Sequence, residues 1–61
     1  MDWQMSIENK LNNRIVYLEE YIERSKAGLK QAYEPEDRLE LRTEITMMNS
    51  ELTFLRSLLD A

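Results

Sequence analysis

Apolar residues recur along this chain at alternating steps of four and three. One stripe runs Leu11, Ile15, Leu18, Ile22, then through Ser25 to Leu29 and Ala32; a second runs Leu41, Ile45, Met48, Leu52, Leu55 and Leu59. That spacing keeps one face of an α-helix apolar, so the pattern predicts two long amphipathic helices and no strand. The only proline, Pro35, and the only glycine, Gly28, both lie between the stripes. Pro35 disfavours a helical Glu34 and suits the first turn of a following helix, where its missing N–H costs nothing. Lys26 and Lys30 then fall near the negative end of helix 1, and Glu34, Glu36 and Asp37 near the positive end of helix 2. Leu29 and Ala32 continue the stripe in register past Gly28, which places the glycine inside helix 1. The expected elements are helix 1 over about 5–33, a turn at about 34 and helix 2 over about 35–59, with Asp2 or Ser6 as candidate caps at the start. Two helices of matched length joined by a short turn make an all-α antiparallel hairpin, a single domain over residues 1–61.

The stripes do not use all the apolar residues. With Ile15 and Ile45 as a positions of a heptad, Trp3, Tyr17, Met47 and Phe54 take c, while Ile7, Tyr21 and Leu58 take g. These positions extend the apolar arc beyond d, to the same side on both helices, giving each helix a face too wide for one seam. A four-helix bundle formed by two hairpins would cover such faces, and packing between subunits accounts for the aromatic and methionine residues better than a cofactor box does. The expected oligomer or partner interface is Trp3, Ile7, Leu11, Tyr17, Leu18, Tyr21, Met47, Met48, Leu52, Phe54, Leu55 and Leu58. A groove for a helix of another protein is the alternative use of the same residues. Ser25, at d, is a small polar interruption whose hydroxyl can bond back to its own helix, or set the register.

Size makes association more pressing. A core in 61 residues rarely supplies more than about 3–5 kcal/mol without a disulfide, a metal or a partner. The chain has no cysteine and no histidine, which excludes disulfides and the usual zinc and haem ligands. A homodimer is the expected supplement, and a subunit of a hetero-oligomer buries the same residues.

Twelve acids against eight bases give a net charge of −4, which argues against general affinity for nucleic-acid backbone or anionic membrane. The signs are mixed along both helices, as on a solvated surface rather than a nucleic-acid mimic. No run of about 20 apolar residues suggests a membrane span, and the first residues lack the pattern of a signal peptide, so the cytoplasm is expected. Catalysis has little to draw on. Ser6, Ser25, Ser50 and Ser57 lack a base or a strained turn, and pairs such as Glu19 with Glu23 or Glu40 with Glu44 read as solvated acids. Glu34, Glu36 and Asp37 lack the spacing of a calcium loop and read as capping acids. No catalytic residue, cofactor, metal or small-molecule substrate is expected.

One polar segment, Asn9, Lys10, Asn12, Asn13 and Arg14 with Tyr17 a turn away, carries donors and an aromatic ring suited to RNA phosphates and bases. Lys10, Asn13, Arg14 and Tyr17 are the candidate RNA contacts. In length and hairpin form the chain resembles the Rop type of plasmid RNA-binding protein, a dimeric four-helix bundle; the resemblance implies RNA binding on the outer face of helix 1. It also resembles, in size and form, the small co-chaperones of bacterial type III secretion, which implies binding of partner proteins through apolar helix faces. The leading expectation is a non-enzymatic homodimeric adaptor or regulator acting through protein–protein contacts.

Overall fold

The computed structural model describes residues 3–60, with side chains from residue 6 onward. Two helices account for nearly all of it: α1, Trp3–Gln31, and α2, Pro35–Asp60. At 1.5 Å per residue they are about 44 and 39 Å long, and they pack antiparallel into a rod of 51 × 16 × 12 Å. The expected all-α hairpin is the fold. Neither helix is long and apolar enough to cross a membrane.

The reversal is built without any left-handed residue, since no described residue has positive φ. α1 ends at Gln31, two residues short of the expected Tyr33, for a reason that the stripe does not contain. The Arg38 guanidinium reaches back from the first turns of α2 and donates to the carbonyls of Leu29 (3.0 Å) and Ala32 (3.2 Å). Those carbonyls are among the ones a helix end leaves without partners. Ala32 N–H still donates to Gly28 C=O at 3.0 Å, which closes the last turn, while Tyr33 stands 93% exposed and gives the chain no apolar reason to continue. On the other side of the turn, Glu34 C=O accepts from Arg38 N–H at 3.0 Å. Glu34 is therefore the residue that opens α2, Pro35 is its first helical residue, and Glu36 and Asp37 occupy its positive first turn. At the other end of the chain, Ser6 lies inside α1 and does not cap it; Asp2 falls outside the described residues.

Ile15, Leu18, Ile22, Leu52 and Leu55 form the buried core, with Leu18 only 1% exposed; Leu11, Ile45, Met48 and Leu59 pack against it, partly covered. Every one of these is a stripe residue. Ser25 is buried too, at 5%, and among the described residues no buried side-chain polar atom lacks a partner. Gly28 lies within α1, facing Leu41 of α2. Two ion pairs bridge the helices, one on each side of the seam: Arg14–Glu51 and Glu19–Arg56. They bracket a seam in which Ile15 is level with Leu55, Leu18 with Leu52 and Ile22 with Met48, so that a positions of one helix meet d positions of the other.

Candidate interaction face

The heptad places Arg14 and Glu51 at g and Glu19 and Arg56 at e, so the two ion pairs mark the two sides of the hairpin. On the e side polar contacts line the seam: Glu19 and Arg56 meet at 2.6 Å, Lys26 and Glu23 at 3.8 Å, and Asn49 lies beside them. The g side differs. Ile7, Tyr17, Tyr21, Met47, Phe54 and Leu58 are all exposed there, Met47 at 67% and Phe54 at 61%. Large apolar side chains gathered in a row on one side, rather than scattered, are the signature of a surface that meets another.

The centre of this face is tied together by short polar and aromatic contacts. Arg14 Nε donates to Glu51 Oε2 at 2.8 Å and its second nitrogen to Oε1 at 3.3 Å, a two-pronged pair whose planar fork matches the carboxylate. The same guanidinium lies 5.2 Å from the centre of the Tyr17 ring, within cation–π range. Tyr17 and Tyr21 stack obliquely, ring centres 5.8 Å apart at 46°. The hydrogen bond from Arg14 holds the Glu51 carboxyl below its ordinary range, and the bond to Glu51 raises the Arg14 guanidinium further above its own. Beside this cluster lies an open hollow of about 300 Å³, lined by Tyr21, Glu44, Met47, Met48 and Glu51. A second hollow, of about 380 Å³, continues toward the turn and shares Glu44, with Asp37, Glu40, Leu41 and Ala32 around it.

The structure separates the expected interface residues into two sets. Leu18, Leu52 and Leu55 are covered within the chain and are not surface available to a partner; Leu11 and Met48 pack against them partly buried, and Met48 also lines the open hollow. Ile7, Tyr17, Tyr21, Met47, Phe54 and Leu58 stand outside the seam. The expectation at Trp3 falls outside the described side chains. The expected one-sidedness of the surplus apolar residues needs correction: Val16 and Leu39, both at b, are exposed away from this face, and Tyr33 is exposed in the turn. Their b positions are readable from the same heptad. They are isolated, whereas the g and c residues run along the whole flank.

Of the candidate RNA contacts, Arg14 and Tyr17 are brought together, but Arg14 is committed to Glu51. Lys10 and Asn13 are exposed on α1. Among the described residues no group of three or more carboxylates is arranged to hold a metal ion. Arg38 is the residue with a defined task that the periodicity conceals. It sits seven residues before Ile45, at an a position where the apolar stripe should have begun, and that break was the available signal. No protein-family model, no curated protein and no solved structure matches this chain.

Proposed function

We propose that this protein is a non-enzymatic helical adaptor or regulator that works through protein–protein contact, and that its working unit is a homodimer of hairpins packed as a four-helix bundle. The observation that carries the reading is the continuous row of exposed apolar side chains on the g side, from Ile7 through Tyr17, Tyr21, Met47 and Phe54 to Leu58. Bulk geometry supports it. A compact chain of this mass would expose about 4,200 Å², whereas the hairpin exposes 5150 Å². The excess, about 1,000 Å², is comparable to the ~800 Å² that each partner contributes to a standard interface. The radius of gyration of 14.6 Å likewise exceeds the ~10.5 Å expected of a globular chain of this length. A second rod laid on the apolar side would cover the excess area and make the assembly less elongated for its mass.

RNA binding receives less support. The Arg14–Glu51 pair would have to open before Arg14 could meet a phosphate, and the chain as a whole carries a net charge of −4.

Sedimentation equilibrium at micromolar concentration tests the proposal. The native chain should give a dimer mass, and Met47→Lys with Phe54→Lys should shift it to monomer, because both side chains lie outside the hairpin's own core. A monomeric native chain with full helicity would refute the dimer.

A further inference from the structure

The g and c positions carry charge as well as apolar groups, and the charge is divided by helix. On α1 this flank reads Ile7, Lys10, Arg14, Tyr17, Tyr21, Arg24, with every charged residue a cation; on α2 it reads Asp37, Glu40, Glu44, Met47, Glu51, Phe54, Leu58, with every charged residue an anion. A face that is basic along one edge and acidic along the other is complementary to itself in only one sense. Two hairpins can be laid face to face with their turns at the same end, which sets α1 on the partner's α2, or with turns at opposite ends, which sets α1 on α1 and α2 on α2.

Resting on the homodimer reading above, the geometry points to a second copy docked with both turns at the same end. The twofold axis then runs along the rod, and the basic edge of each hairpin lies on the acidic edge of the other. The hairpin's register decides which side chains meet. Within the chain Tyr17 is level with Phe54, and Tyr21 and Arg24 lie level with the Glu44–Asn49 stretch, near Met47 and Glu44. Docking along the axis keeps these levels, so Tyr17 meets the partner's Phe54, Tyr21 meets the partner's Met47 and Arg24 comes beside the partner's Glu44. Apolar groups fall on apolar groups, and the cation Arg24 falls beside an anion. The opposite arrangement places Arg24 over the end of α1 that carries Lys10 in the partner, cation against cation. Like charges facing across an interface favour the alternative partner arrangement. The acidic hollow bounded by Asp37, Glu40 and Glu44 also finds cationic cover only when α1 of the second copy lies over it.

The chain has no cysteine, so Tyr33→Cys introduces a single attachment point for a nitroxide, at a turn residue already 93% exposed. Pulsed dipolar spectroscopy on the full-length chain then reads the distance between the two turns, with sedimentation equilibrium run on the same sample. Turns at the same end give a separation of about 10–20 Å, set by the 8–10 Å spacing of packed helices plus the label arms. Turns at opposite ends give about 45 Å, set by the rise along the helices. A dimer with the short distance supports the proposal. A dimer with the long distance overturns the docking sense and leaves the homodimer standing; a monomer overturns both.

Discussion

Gly28 lies in the interior of a 29-residue helix, where glycine is about 1 kcal/mol less favourable than alanine. Nothing in its backbone requires it, because its φ is not positive. A Cβ built there would stand 3.7 Å from Leu41 Cδ1 and 4.0 Å from Cδ2, ordinary contact distances. Gly28→Ala should therefore raise stability by about 0.5–1 kcal/mol, read as a higher urea midpoint in circular dichroism at 222 nm. A lower midpoint would mean that the glycine accommodates a closer approach than the hairpin contains. Ser25 presents the opposite case, a polar group in the seam at 5% exposure. It takes a d position where a leucine would add apolar contact, in a chain with only five buried core residues.

At the scale of elements, the two ion pairs flank the seam between α1 and α2, both exposed enough for salt and water to weaken them. The Arg14–Glu51 pair carries a pH signature. Its hydrogen bond lowers the Glu51 carboxyl in the folded hairpin relative to the unfolded chain, so the folded state binds the proton less readily. The resulting stabilisation is present above the ordinary carboxylate range and fades as pH falls through the depressed value. Thermal unfolding followed from pH 7 down to pH 3 should show a falling midpoint, with a shallower fall in Glu51→Gln; equal slopes would remove the pair from any part in setting the register. Both helices, their antiparallel pairing and the interior position of Gly28 were legible from periodicity and from Pro35, because one seam of alternating steps has few other solutions. The end of α1 was not legible. It depends on Arg38 folding back onto the Leu29 and Ala32 carbonyls, a contact between elements that a pattern within one helix cannot register. The division of the apolar residues between seam and outer face was legible in part: the heptad separates d from g, yet only the packed hairpin establishes that Leu18, Leu52 and Leu55 are already covered by their own chain.

Taken as a whole molecule, the hairpin is a rod 51 Å long and only 12 Å thick in its thinnest direction, with a core one side chain wide. Its outer flank carries a complete set of large apolar residues and, edge by edge, opposite charges. On the proposed reading, folding is finished by a second copy laid along the same flank. If so, unfolding and dissociation are one transition, and stability depends on protein concentration by mass action. The most direct measurement is the thermal midpoint across a hundredfold range of concentration, for example about 2 to 200 μM, followed by circular dichroism. A homodimer should give a midpoint that rises steadily with concentration in the native chain and loses that dependence in the variant carrying Met47→Lys and Phe54→Lys. A native midpoint that is high and independent of concentration would show a hairpin stable alone, and would contradict it.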